Sequence, residues 1–264
     1  MPEFLDPPLN EVVLGVQFSR PKGYQQVRAG EVWGLYRNQY PEVQELPALP
    51  PVFEVFGLPH SWPINPSINI ISGATHDRFW FLQPDGAELI QFQEDRLLHN
   101  WRKVGEATNA YPRFESMIRR FKEELEQLQT YMSGLDPQSL SINQSEISYI
   151  NHIGADQGQE LRASEWIRFL SLGDSDPDDL NLALRDVIRG EDQKPEGRLI
   201  CDIATGRKTG GQRIIQLTLT VRGVPKGTNI SAALDFITRG RTLIVNRFTD
   251  ITTESAHLAW KRQQ

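Results

Sequence analysis

The sequence predicts an α+β fold: two pseudo-repeated β-α-β(n)-α halves whose strands form curved antiparallel sheets backed by helices. Three observations carry this expectation. Residues 111–132 and 229–251 repeat apolar side chains at helical spacing. Runs such as RFWFLQPDGAELIQF and QRIIQLTLTVRG are rich in aromatic and β-branched residues and end on turn formers. The order strand, helix, several strands, long helix occurs twice, and Arg28-Ala29-Gly30-Glu31 is echoed by Arg162-Ala163-Ser164-Glu165. The halves divide at 1–133 and 134–264, as two units or as one joint domain.

Each element has its own warrant. EVVLGVQF, 11–18, is apolar on both faces and bounded by Pro7-Pro8 and Pro21, which places a central strand there. Val27, Val32, Leu35 and Tyr36 can line one face of a helix of about ten residues that Pro41 ends. Residues 41–68 hold seven prolines and read as a connection with short extended pieces, since each proline removes an amide donor. Phe79 to Leu82, Gln83-Pro84-Asp85-Gly86 and the strand after them form a hairpin. Glu94, Asp95 and Arg96 then interrupt the pattern, and a bend or bulge in that strand is expected. Phe114, Met117, Ile118, Phe121, Leu125 and Leu128 recur behind Pro112 as the core face of a long helix. In the second half, a polar linker at 134–145 leads to a strand at 146–153 and a short helix at 161–170. A hairpin around Gly206–Gly211 follows, and then a last helix from Asn229 that continues through Gly240.

Composition narrows the function. A net charge of −6 and a pI of about 5.5 weigh against phosphate backbones and anionic membrane surfaces. The single cysteine, Cys201, cannot form an internal disulfide or a thiolate cluster and reads as a buried structural thiol. No leader or membrane-spanning run is visible, so a cytoplasmic location is expected.

The stretches PPLNEVVLGVQF, RFWFL with ELIQFQEDRLLHNWRK, YPRF and SEISYINHI resemble a sporadically distributed prokaryotic family of uncharacterised proteins. Pro7-Pro8-Leu9, Glu11, Asn100-Trp101-Arg102 and Tyr149-Ile150-Asn151 stand in the family's order, and the likeness covers most of 4–153. The resemblance implies a prokaryotic accessory protein, of defence or toxin-antitoxin type, and carries over no catalytic residue.

The most suggestive polar cluster is His99-Asn100-Trp101-Arg102-Lys103, where a flat ring, a planar five-donor fork and an amide suit an anion or a peptide. The simpler reading has Trp101 packed under the long helix, Arg102 paired with a carboxylate and Asn100 capping the strand exit. Asn151 and His152, with Glu11 and Glu146, form a second set, in which the carboxylates pair with Arg28 or Arg162 and pin helix to sheet. The loop ATGRKTGGQR lacks the order of a phosphate-binding loop and should be a flexible hairpin loop exposing Arg207, Lys208 and Arg213. GDSDPDDLN departs from a calcium loop at its sixth and twelfth positions and reads as an acidic turn capping the segment after it. No catalytic, cofactor-binding or metal-ligating residue is assigned. The expected function is a non-enzymatic protein-interaction scaffold, with a protein partner and a homodimer. The first alternative is a small-ligand binder or hydrolase on the concave sheet face, walled by His99, Trp101 and Arg102. The second, nucleic-acid binding by a saddle-shaped sheet, requires a continuous basic stripe.

Overall fold

In a computed structural model of the chain, the described residues are 2–57, 77–105, 109–136, 140–154, 160–171, 173, 177, 179–208 and 211–263. The chain runs β1 (Glu3–Phe4), β2 (Leu9–Phe18), α1 (Ala29–Tyr36), β3 (Glu42–Leu46), β4 (Arg78–Leu82), β5 (Glu88–Gln93), β6 (Arg96–Arg102) and α2 (Phe114–Ser133). It continues with β7 (Ile142–Ile153), α3 (Ala163–Trp166), β8 (Asn181–Arg189), β9 (Pro195–Arg207), β10 (Arg213–Gly223), α4 (Ile230–Ile251), α5 (Glu254–Ala259) and β11 (Arg262–Gln263). Nine strands form one antiparallel sheet in the order β3-β4-β5-β6-β2-β7-β10-β9-β8, and β1 pairs with β11 apart from it. The fold is therefore α+β, with an antiparallel sheet backed by helices. The seam between the two stretches of chain is the pair β2–β7, with Val13 opposite Ser148 near its middle.

The helices gather on one face. Along α2, Phe114, Met117, Phe121, Leu125, Leu128 and Met132 are buried over β6, as their spacing requires. α4 lies over β7 and β10, and its first turn is held by Asn229, whose side chain accepts from the Ala232 N–H at 2.9 Å. Gly240 lets it approach closely: a Cβ there would stand 2.8 Å from Ile147 Cγ2 and 3.0 Å from Val221 Cγ1. Across the sheet the same face presents Val12, Leu14, Val16, Ile90, Leu97 and Trp101, so the core is the layer between sheet and helices. No helix among the described residues is long and apolar enough to cross a membrane.

Several expectations need correction. The chain at Glu94-Asp95 neither bends nor bulges; it reverses in a two-residue turn, so that Gln93 faces Arg96 across β5–β6. The first helix ends at Tyr36, ahead of Pro41, and Val27 is 86% exposed instead of lining the core. The helix expected at 161–170 is a single turn, Ala163–Trp166. The linker at 134–145 already contains the start of β7. β8, which the sequence marks only as the segment after an acidic turn, forms the sheet's edge, and Asp174, Asp176 and Asp178 of that turn lie outside the described residues. Arg213 is half-buried and donates to the Pro177 carbonyl.

Candidate functional site

Strand alternation divides the sequence-predicted cluster between two faces. His99 and Trp101 point toward the helices, Asn100 and Arg102 toward the opposite, outer face. On the helix side, His99 Nδ1 lies 3.0 and 3.1 Å from the two carboxylate oxygens of Glu124 on α2. Tyr40 donates to the same carboxylate at 2.7 Å, and the Tyr36 hydroxyl donates to the Glu124 carbonyl at 2.9 Å. His99 is fully buried, so this network clamps α2 to the sheet and is closed to a substrate. Trp101 packs against Tyr111, ring centroids 5.1 Å apart, in the same buried layer.

The outer face carries a different network. Asn100 donates to Glu11 at 2.6 Å and accepts from Gln91 at 3.0 Å, while the Arg102 guanidinium lies 5.4 Å from the Trp80 ring centroid. Burial raises the Glu11 carboxyl above its ordinary range, against the bond from Asn100 and the charge of Arg102. Glu11 faces Arg102 across β2–β6, and Glu146 bonds Arg222 at 2.7 Å across β7–β10. This corrects the expected partners: Arg28 pairs with Glu31, and Arg162 pairs with Glu160. The second candidate pair is also split. Asn151 is buried toward the helices, its amide donating to the Leu217 carbonyl at 3.1 Å; His152 is half-buried on the outer face, its pKa lowered chiefly by burial.

The feature that assembles polar side chains into one constellation is the proline-rich segment after β3. Residues 47–57 form a strap across the outer face, held at three places. Gln93 Nε2 donates to the Leu49 carbonyl at 2.9 Å, and the Leu49 N–H donates back to Gln93 Oε1 at 2.9 Å. Gln17 repeats the arrangement on Val52, at 2.8 Å to the carbonyl and 3.1 Å from the N–H. Each glutamine amide thus acts as a short piece of β-strand, offering one donor and one acceptor to an extended backbone. Glu54 then lies 2.9 Å from Arg198 and 3.4 Å from Arg222, and Arg198 donates to the Val55 carbonyl at 2.8 Å.

The floor of this groove is built by register. Gln93, Arg96, Gln17 and Gln144 follow one another across β5, β6, β2 and β7 as directly opposed residues. Gln144 is 1% exposed, and neither atom of its amide has a partner, although it borders a cavity of about 270 Å³ beneath Leu49, Pro50 and Val52. Gly15 makes room in the floor, since a Cβ would stand 2.9 Å from Glu146 Cγ. Sequence reasoning missed Gln17, Gln93 and Gln144. Their signal was present: each is a polar residue on a strand close to buried apolar neighbours, as in VQF and QFQ.

The helix side holds a second hollow. A cavity of about 390 Å³ opens between the start of α2 and the middle of α4, walled by Phe4, Leu9, Phe114 and Phe248, with Tyr111, Tyr149 and Arg241 among its polar groups. Asn151 borders it; the other five candidates from the sequence do not. Among the described residues no group of three His, Cys, Asp or Glu side chains is placed to hold a metal ion. Comparison with protein-family models, with curated proteins and with solved structures finds no match.

Proposed function

We propose that this chain is a non-enzymatic protein-interaction scaffold whose outer sheet face recognises an extended peptide, with residues 47–57 as the groove's own intramolecular occupant. The observation that carries the proposal is the paired clasp: Gln17 and Gln93 each bind both the N–H and the C=O of one strap residue. Such contacts read backbone, so they accept another chain of the same shape. Selectivity comes from Arg198 and Arg222, which favour a carboxylate two residues beyond the second clasp. The unpartnered Gln144 amide supplies a third donor and acceptor to a longer or differently placed segment.

Nucleic-acid binding has less support. Among the described residues, several outer-face arginines are paired with carboxylates, as in Arg96–Asp95, Arg198–Glu54, Arg222–Glu146 and Arg185–Asp202, which offsets much of their positive charge. A concave small-ligand site walled by His99, Trp101 and Arg102 is disfavoured because the first two face the helices. The matching pairs Glu11/Arg102 and Glu146/Arg222 on either side of the seam favour two related halves. We propose further that it acts in a prokaryotic accessory system of defence or toxin-antitoxin type, in the cytoplasm and as a homodimer.

The test is recognition in trans. A variant with residues 48–56 deleted removes both clasped backbone segments and so vacates the groove, and a labelled peptide of residues 47–57 is titrated against it by fluorescence anisotropy. Saturable binding to this variant, weaker to the intact chain and lost with Arg198→Ala, is the expected result. A folded variant that does not bind the peptide would overturn the proposal.

A further inference from the structure

We infer that the cavity between α2 and α4 is a second binding site, for a small apolar carboxylate such as a medium-chain acyl or aryl acid. It lies on the helix side of the sheet and is independent of the strap groove.

Its walls and its polar groups differ in character. Phe4, Leu9, Phe114, Ile244 and Phe248 give an apolar lining, and a volume of about 390 Å³ lies within the usual range for small-molecule sites. Its polar lining sets the Tyr111 and Tyr149 hydroxyls, the Asn151 amide and the guanidiniums of Arg113 and Arg241 against the carboxylates of Glu3 and Glu115, which are both exposed. The Tyr111 and Tyr149 hydroxyls are 3.1 Å apart and share one hydrogen bond. Burial raises both above the ordinary phenol value, so both stay protonated at neutral pH. Two hydroxyls that share one bond leave one proton undonated.

Arg241 completes the set. Its guanidinium donates to Glu115 at 2.9 Å and lies 4.7 Å from the Phe114 ring centroid, while its Nε is buried with no hydrogen-bond partner. Arg241 also hydrogen-bonds the Tyr149 hydroxyl, which leaves its buried Nε–H as the donor a second carboxylate can take. α2 begins at this cavity with no side-chain cap, and its dipole adds positive potential there. The donors left facing the apolar hollow, a tyrosine hydroxyl proton and the buried Arg241 Nε–H, match a carboxylate on an apolar body.

Glu115 makes the test decisive, because it competes with the ligand for Arg241 and is itself largely exposed. Octanoate is titrated into the intact chain by calorimetry, with 1-octanol as the neutral control. Octanoate is expected to bind and octanol to bind at least about tenfold more weakly. Arg241→Gln should cost at least about tenfold in affinity and Tyr149→Phe several-fold, whereas Glu115→Gln should tighten binding, a gain that misfolding cannot produce. No heat with octanoate, equal binding of octanol, or unchanged affinity in both Arg241→Gln and Glu115→Gln would overturn the assignment.

Discussion

Removing the strap's carboxylate, by Glu54→Ala, should open the groove without unfolding the protein. The Glu54 side chain is 9% exposed, against 13% for Arg198 and 20% for Arg222, so the ion pairs are partly desolvated. Deleting one member of a buried pair costs about 3–5 kcal/mol. Here Arg222 keeps Glu146 and Arg198 keeps the Val55 carbonyl, which lowers the cost to roughly 2–3 kcal/mol. At 1.4 kcal/mol per factor of ten, the open state should become roughly 30- to 140-fold more populated. Brief chymotrypsin digestion, with cuts after Phe53 and Phe56 counted by mass spectrometry, follows that population when reclosing outpaces cleavage. Global stability in urea should fall by no more than the same roughly 2–3 kcal/mol, with the fold retained, because no strap residue belongs to the buried core. Cleavage within threefold of the intact chain would refute the argument, since the ion pairs would then contribute nothing to closure.

Glu124→Ala strands His99, Tyr40 and the helix they hold, and should cost about 3–5 kcal/mol in urea denaturation. Gly240→Val must push α4 off Ile147 and Val221, with an expected loss of about 1–3 kcal/mol and a lower Tm by calorimetry. Glu11→Gln tests a pH dependence. The folded state holds the Glu11 carboxyl above its ordinary 4.5, chiefly by burial, so ionisation as pH rises through that value costs stability. The substitution should therefore raise Tm at pH 7, and the gain should vanish as the pH falls below about 4.

The long helices were legible because Phe114 to Leu128 and Ile230 to Ile251 keep a strict apolar stripe, which only one period satisfies. The β4–β5 hairpin was legible from Asp85-Gly86, where Gly86 takes φ 67°. The turn at Glu94-Asp95 was not, because neither residue adopts positive φ and no glycine or asparagine marks a two-residue hairpin there, so the charges looked like an irregular strand. β8 was hidden for a related reason: NLALRDVIR lies at the sheet's edge with only one paired side, and its apolar alternation is diluted by Arg185, Asp186 and Arg189. Of the candidate site residues, the run 99–102 was recognised as structured but treated as one cluster, although adjacent strand residues face opposite ways. The strap was beyond reach because its partners, Gln17 and Gln93, stand 35 and 44 residues from the residues they bind.

Amide hydrogen exchange along the strap of the intact chain is the most direct measurement. Leu49 and Val52 should exchange slowly, with Gln93→Ala deprotecting Leu49 alone and Gln17→Ala deprotecting Val52 alone. Exchange of both amides at the rate of an unstructured peptide in the intact chain would mean that the outer face does not hold an extended backbone.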